Sequence, residues 1–328
     1  MCGIRGLFLF TLAAAMAIGC DKGKQGNSGG GNKSGSLRIA VIPKGTTHVF
    51  WKSVEAGANK ASGELGVQII WKGPLREDDR AEQIKVVEQF TAEGVSAIVV
   101  APLDSEALLR PVQSAMERKI PVVIFDSALK GAPGKDFVSF VATDNHKGGT
   151  LAGQQLARIL GGKGKVVLLR YGVGSASTEE REAGFMEVMK ANPGIIMISD
   201  NRYAGPTVAS AKDEAMRLID KLKEADGIFC PNESSTLGML GALRDNNLVG
   251  KVKFVGFDAT PALIEALRKN EVQALVAQDP TRMGYESVKA AVGHIRGQQV
   301  PLSIDTGVRL LTLDSLSEPD TRKFLGLE

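Results

Sequence analysis

The stretch LRIAVIP at positions 37–43 is short, apolar and rich in β-branched side chains, so it reads as a buried β-strand. A turn, Lys44-Gly45-Thr46-Thr47-His48, follows it. Apolar residues then recur at positions 50, 51, 54, 58, 61 and 65. That spacing lies on one face of a helix and predicts a helix over 50–65. The same unit repeats outward. Strands are predicted over 67–71, 95–101 (VSAIVVA), 120–126 (IPVVIFD) and 137–143. Ala81, Ile84, Val87 and Phe90 mark one intervening helix; Leu108, Val112, Ala115 and Met116 mark another. Further strands fall at 165–170 (KVVLLR), 194–200 (GIIMISD), 227–230, 252–257 (VKFVGF) and 272–278 (VQALVAQ). A helix is predicted over 148–160, and helical patterns fill the other gaps.

These strands are continuous apolar runs, not alternating ones. Such runs need cover on both faces, as in parallel sheets flanked by helices. About ten βα units exceed one ordinary compact sheet. The expectation is therefore an α/β protein with two similar, doubly wound parallel-sheet lobes. Ligands in such sheets bind beyond the C-terminal strand ends, so two facing lobes would form a cleft there.

The chain has 328 residues, 43% hydrophobic and 23% charged, with a net charge of +3 from 40 basic and 37 acidic side chains. This balance excludes a disordered chain, a collagen-like repeat and a polytopic membrane protein. The basic residues are scattered, whereas a nucleic-acid binder clusters them, so no nucleic-acid partner is expected. Cys2 and Cys20 lie near the N-terminus and Cys230 stands alone in the body. One body cysteine makes no disulfide framework, and Cys230 reads as a buried strand residue without chemistry. His48, His146 and His294 are far apart and fit no zinc spacing. No cofactor and no metal are expected.

Arg5 precedes an apolar run, LFLFTLAAAMAIG, at 7–19. It is shorter than the about 20 residues a membrane-spanning helix needs, and it fits the apolar core of a secretory signal. It ends in Ala17-Ile18-Gly19-Cys20, which resembles a bacterial lipobox with Ala17 where Leu is usual. Residues 1–19 are thus an expected signal peptide and Cys20 an expected lipidation site. Positions 21–36, DKGKQGNSGGGNKSGS, hold no apolar residue, cannot offset their conformational entropy by burial, and read as a flexible tether. The expected location is the periplasm or the outer face of a bacterial membrane.

The residues that follow the predicted strands carry the candidate chemistry. They include Lys44, His48, Phe50 and Trp51 after the first strand, and Asp126-Ser127 after 120–125. Asp104-Ser105 and Asp144-Asn145 follow two others and read equally as helix caps or a hinge. In the second half come Tyr171, Arg181, Tyr203, Asn232-Glu233, Asp258 and Gln278. Carboxylates, amides and an arginine suit the paired hydroxyls of a sugar, and rings cover its C–H faces. Other readings stand beside this one. Phe50 and Trp51 sit at core spacing, Asp258 precedes a helix as a cap would, and the charged run Glu77-Asp78-Asp79-Arg80 reads as a solvated loop.

Eight short segments occur in an order that resembles the type I periplasmic binding proteins, especially the ribose-binding subfamily of bacterial sugar transporters. They are IAVIPKGTTHVFWKSVEAGA (39–58), VVAPLDSEAL (99–108), IPVVIFDS (120–127), ATDNHKGG (142–149), EEREAGF (179–185), IFCPNESSTLGMLGAL (228–243), FVGFDATP (254–261) and ALVAQDP (274–280). The resemblance spans about 37–312. It implies that Phe50 and Trp51 stack on the ligand, that Asp126 is the first-lobe carboxylate, and that Arg181, Asn232, Asp258 and Gln278 contact the ligand, with Tyr203 near a second-lobe aromatic. It places interlobe crossings near Thr143-Asp144, Gln278-Asp279 and Asp305-Thr306. The implied lobes are 37–143 plus 279–305 and 144–278 plus 306–328. Ser127 stands where ribose binders carry an arginine, and His48 where they carry an asparagine. These departures, with Lys44 and Trp51, imply a pocket for another pentose, a hexose or a polyol.

The leading functional expectation is a monomeric, non-enzymatic receptor of an ABC-type sugar importer. It would deliver a small monosaccharide or polyol to permease subunits and touch the membrane only through a lipid anchor. A receptor feeding a chemosensory partner is the alternative. A transcription regulator of this fold would carry an N-terminal helix-turn-helix, which residues 1–36 do not resemble. A glycosidase would use Asp126 and Asp258 as its acid/base pair. A dinucleotide enzyme would need G-x-G-x-x-G after the first strand, where this chain has Pro43-Lys44-Gly45-Thr46-Thr47-His48.

Overall fold

The structure is a computed structural model that describes residues 36–326. The expected signal peptide, Cys20 and all of the tether but Ser36 lie outside the described residues.

The first strands and helices alternate as β1 (Arg38–Ile42), α1 (Val49–Leu65), β2 (Gln68–Trp71), α2 (Arg80–Glu93), β3 (Ala97–Val100), α3 (Leu109–Glu117), β4 (Val122–Phe125) and β5 (Ser139–Ala142). The next series is α4 (Asn145–Ile159), β6 (Lys163–Arg170), α5 (Ala176–Lys190), β7 (Gly194–Tyr203), α6 (Val208–Arg217), α7 (Ile219–Glu224), β8 (Gly227–Phe229), α8 (Glu233–Asp245), β9 (Lys253–Phe257), α9 (Pro261–Arg268) and β10 (Ala274–Gln278). The chain closes with α10 (Pro280–Ile295), β11 (Ser303–Asp305), β12 (Val308–Leu311) and α11 (Pro319–Phe324).

Two six-stranded sheets result, in the orders β11-β5-β4-β3-β1-β2 and β12-β10-β9-β8-β6-β7. The two orders match position for position, so the lobes repeat one topology. The continuous apolar strands explain the layering. In the first sheet Ile39, Val41, Val99 and Phe125 feed one core, while Ala40, Ile42, Val100 and Ile124 feed the core on the opposite face. In the second sheet Val167, Leu169 and Ile228 lie on one side and Val166, Leu168 and Phe229 on the other. Alternate side chains of a strand point to opposite faces, so a strand covered twice must be apolar throughout.

One strand departs from the parallel expectation: β12 pairs antiparallel with β10. Only Thr306 and Gly307 separate it from β11, and a parallel entry would need a long crossover. The edge strand β7 also runs on to Tyr203 instead of stopping at Asp200. Its pairing with β6 continues through Arg202 and Tyr203 after two register shifts, where the apolar run has already ended.

The chain passes between the sheets three times. After β5 it enters α4, which packs on α5 and on strands of the second sheet; after β10 it enters α10, which packs on α1 and the first sheet; and β11 leads directly into β12. Both switched helices are seated through glycine. A Cβ on Gly184 of α5 would lie 2.1 Å from the His146 carbonyl oxygen of α4, and one on Gly284 of α10 would lie 2.0 Å from the Val54 oxygen of α1. Gly184→Ala should therefore destabilise the protein by about 1–3 kcal/mol in urea denaturation. Gly63→Ala, on α1 with nothing near its added methyl, should be neutral or stabilising. Equal behaviour of the two variants would refute the close-approach account.

Candidate functional site

Both sheets turn their C-terminal strand ends toward one gap. The turn after β1 and the start of α1 bring Lys44, His48, Phe50 and Trp51; the end of β4 brings Asp126. The second lobe brings Tyr171 after β6, Arg181 from α5, Asn232 and Glu233 at the start of α8, Asp258 after β9, and Gln278 at the end of β10. They line a cavity of about 30 Å³ together with Glu77, Ser175, Ser177 and Thr178. Two expected residues lie elsewhere. Tyr203 sits at the end of the edge strand, 45% exposed and away from the cavity; Tyr171, directly after the inner neighbour β6, is the second-lobe ring that lines it. Ser127 is buried beside the gap, where its hydroxyl accepts a hydrogen bond from the Ser177 amide at 3.1 Å.

The two lobes present their carboxylates by the same backbone device. Asp126 and Asp258 each follow a core strand with φ of 61° and 72°. Their amides bond to Val141 O and Val276 O on the neighbouring strand, at 3.0 and 2.8 Å. A left-handed conformation is costly for a non-glycine residue and clusters at functional sites. Here it ends the strand and turns the side chain into the gap. The capping reading of Asp258 is displaced, because Thr260 caps α9 by accepting from Leu263 N. Asp144 does cap α4, while Asn145 beside it accepts from Arg181 Nε at 2.8 Å.

Every charge in the gap has a partner. Lys44 Nζ lies 3.3 Å from Asp126 and donates across the gap to Ser175 and Ser177 at 3.1 and 3.0 Å. Lys44 thus supplies the cation beside Asp126, while Ser127, the next residue in the chain, carries none. Arg181 also donates to Pro231 O and to Gln278 Oε1, at 3.0 and 2.9 Å, and its guanidinium stacks 3.9 Å over the Phe257 ring. Gln278 passes the chain on to Asp258 at 2.7 Å, and Asp258 accepts a second bond from Glu233 N. Burial lifts the Asp258 carboxyl to about 6, against the pull of Arg181 and Gln278. Burial alone also pushes up the thiol of Cys230, which lies buried directly after β8 instead of within the strand.

Two carboxylates reach across the gap: Glu233, named from the sequence as a strand-end residue without an assigned ligand role, and Glu77, read there as part of a solvated loop. Glu233, at the first position of α8, accepts from Val49 N at 3.1 Å and Phe50 N at 2.9 Å. These are free amides at the start of α1, whose own N-cap residue, His48, makes no side-chain cap bond. A carboxylate there also meets the positive end of the helix dipole. Glu77 accepts from His48 Nδ1 at 2.7 Å and from Tyr171 of the other lobe at 2.6 Å. Tyr171 and Glu233 were visible as strand-end residues; Glu77 sits in a charged run that resembles a solvated loop. Among the described residues, no group of three or more His, Cys, Asp or Glu could hold a metal ion.

The fold agrees with known proteins. Residues 39–299 match the periplasmic binding protein domain family, and the chain belongs to that family of substrate-binding proteins. It is similar to the periplasmic component of an ABC-type sugar transport system from Hahella chejuensis, at 36% identity over 84% of this chain and 99% of that one, with a TM-score of 0.80. It also resembles a carbohydrate transporter solute-binding protein of Agrobacterium radiobacter solved with D-arabinose, at 33% identity over 89% and 99% of the two chains, TM-score 0.84. Among curated relatives, the ribose import binding protein RbsB of Haemophilus influenzae is 28% identical over 84% of this chain and 91% of that protein.

The His48–Glu77 pair makes a pH-dependent contribution to stability. Burial lowers the imidazole pKa, but the hydrogen bond and charge of Glu77, with the charges of Glu233 and Asp258, raise it from 6.5 to about 9. The folded state then holds its proton more tightly than the unfolded chain. The resulting stability is fully present below pH 6.5 and is lost as pH rises through 9. Glu77, which burial would raise, is brought from 4.5 to about 2 by His48 and Lys44; its contribution is present above 4.5 and lost as pH falls through 2. Thermal denaturation between pH 6.5 and 9 should show a decline that His48→Gln flattens. A variant with the same slope as the parent would contradict the pairing.

Proposed function

We propose that this protein is the extracytoplasmic binding component of an ABC-type sugar importer, closing on one small monosaccharide or polyol and delivering it to permease subunits. The observation that carries this reading is the shared gap at the strand ends, where Asp126, Arg181, Asn232, Asp258 and Gln278 meet Phe50, Trp51 and Tyr171. Such a set can pair with hydroxyls at the edge of a sugar and cover its faces. The roles of its relatives in sugar transport support it.

The moving bodies are taken as 37–143 with 279–305 and 144–278 with 306–328, joined by the three crossings. The cavity of about 30 Å³ is far below the roughly 300 Å³ of a usual small-molecule site. A sugar must therefore enter by separation of the lobes. On closure its hydroxyls replace bonds the protein now makes to itself, such as Lys44 to Ser175 and Gln278 to Asp258. The role is that of a receptor, not a catalyst, in keeping with the binding-protein family to which the chain belongs. Export by the 1–19 signal and anchoring at Cys20 complete the reading, with the protein acting as a monomer.

Thermal-shift screening of pentoses, hexoses and polyols should reveal at least one stabilising ligand; none in the panel would defeat the proposal. With that ligand, Asp126→Ala and Arg181→Ala should each lose about 2–5 kcal/mol of affinity by calorimetry, because each leaves a buried charged partner or contact unmet. Glu233→Ala removes a helix cap made only between lobes and should weaken binding roughly 5- to 30-fold. Parental affinity in all three variants would place the ligand elsewhere.

A further inference from the structure

The segment between β2 and α2 carries three consecutive acids that behave differently. Asp78 pairs with the exposed Arg76, and Asp79 caps α2 by accepting from Glu82 N. Glu77 turns inward, its side chain only 7% exposed. One oxygen accepts from Trp51 Nε1 at 2.5 Å and His48 Nδ1 at 2.7 Å; the other accepts the Tyr171 hydroxyl at 2.6 Å. One carboxylate thus gathers three ring donors around the cavity. Two come from the start of α1, in the same lobe as Glu77. The third comes from the end of β6, in the other lobe.

This division has a consequence for closure. The bonds to His48 and Trp51 lie within one lobe and do not depend on how the lobes stand. The bond to Tyr171 exists only when they meet. With Nδ1 committed to Glu77, Nε2 is the imidazole nitrogen left for a ligand oxygen. We propose that Glu77 is a positioning residue of the binding cleft, fixing the His48 and Trp51 rings as a preformed wall of the first lobe and taking the Tyr171 hydroxyl when the second lobe arrives. This deepens the sugar-receptor reading and rests on it for the ligand arm of the test below.

The electrostatic surroundings agree. His48 faces Glu77 from this segment, Glu233 from α8 and Asp258 from the end of β9; Glu77 in turn faces Lys44 from the end of β1. Tyr171 faces Glu77, Asp78 and Asp126, and burial together with these charges keeps its hydroxyl protonated and a donor. Removing Glu77 removes the hydrogen bond and the strongest of the charges that hold the imidazole protonated, and leaves burial to act against it.

The test has two arms. The chain has three histidines, so the His48 ring protons can be followed by NMR titration without ligand. The parent should titrate near pH 9. Glu77→Gln should move that midpoint down by roughly two pH units or more, Glu77→Asp should keep it above 7, and Tyr171→Phe should leave it close to the parent's. In the second arm, calorimetry with the sugar or polyol found by screening should show weaker binding for Glu77→Gln and Tyr171→Phe, roughly tenfold or more. Asp258, lifted to about 6, gives every variant a common pH dependence near 6; Glu77→Gln should add to it a further change in affinity between 6 and 8 that Tyr171→Phe lacks. An unmoved His48 midpoint in Glu77→Gln would overturn the proposal, as would an equal shift in Tyr171→Phe. Should Glu77→Gln not fold by circular dichroism, a His48 midpoint in Glu77→Asp no higher than 6.5 would overturn it instead. If no sugar or polyol binds the parent, the receptor reading fails while the titration arm still decides the role of Glu77 in fixing His48.

Discussion

A carboxylate removed from water has to be matched, and this molecule buries Glu77, Asp126, Glu233 and Asp258 around one gap. Isolated, any of them would be neutralised or would force water in. Instead Lys44, His48, Arg181 and the first amides of α1 are distributed among them. The charge pairs lie within lobes, but Glu233 accepts from the α1 amides, Lys44 donates to Ser175 and Ser177, and Tyr171 donates to Glu77 from one lobe to the other. The relative placement of the two sheets is thereby tied to hydrogen bonds at their tips, not to apolar area alone. The site is costly to build and sensitive to what enters it, because a buried polar network tolerates no half-satisfied member.

The repeated topology explains how such a network can be assembled from one kind of part. Each lobe has a core strand that stops at an aspartate with positive φ, tied by its amide to the adjacent strand. Each lobe also holds a helix delivered by the chain from the other side, seated by glycine against a neighbour. Arg181 lies on α5, three residues before the glycine on which α4 rests. Lobe packing and site geometry are therefore not independent: a shift of α4 against α5 moves Arg181 and, through Asn145 and Gln278, the ends of two crossings.

Most of the architecture was legible in the sequence because buried parallel strands leave a strong mark. Runs such as VSAIVVA and IPVVIFD have no polar face, and only a doubly covered sheet accepts them. Residues directly after those strands were legible as site candidates for the same reason, since the fold itself points strand ends at the cleft. Three features escaped. Tyr203 follows a strand too, but β7 is an edge, and its end emerges into solvent instead of the gap. Glu233 adjoins Asn232, whose side chain accepts from Ser235 N as a cap, so local capping accounted for the pair and hid the reach of the glutamate to another helix. Glu77 was masked by its company. A run of charges is usually a solvated face, and periodicity says nothing about which member of a short loop turns inward.

The cross-lobe bonds also bear on how such a protein changes state. When the lobes part, Glu233 and the α1 amides, or Glu77 and Tyr171, exchange each other for water. A hydrogen bond traded for hydration contributes only about 0.5–1.5 kcal/mol net, and somewhat more where a charge is involved. The latches therefore define the closed geometry without locking it. A ligand need supply only a modest differential affinity for the closed form to shift the population. Glu77 adds an asymmetry, because its first-lobe bonds orient the receiving surface before the second lobe arrives. An ordered wall and a late-arriving partner lower the entropy lost on binding, and they make closure the step at which the ligand is read by both halves at once.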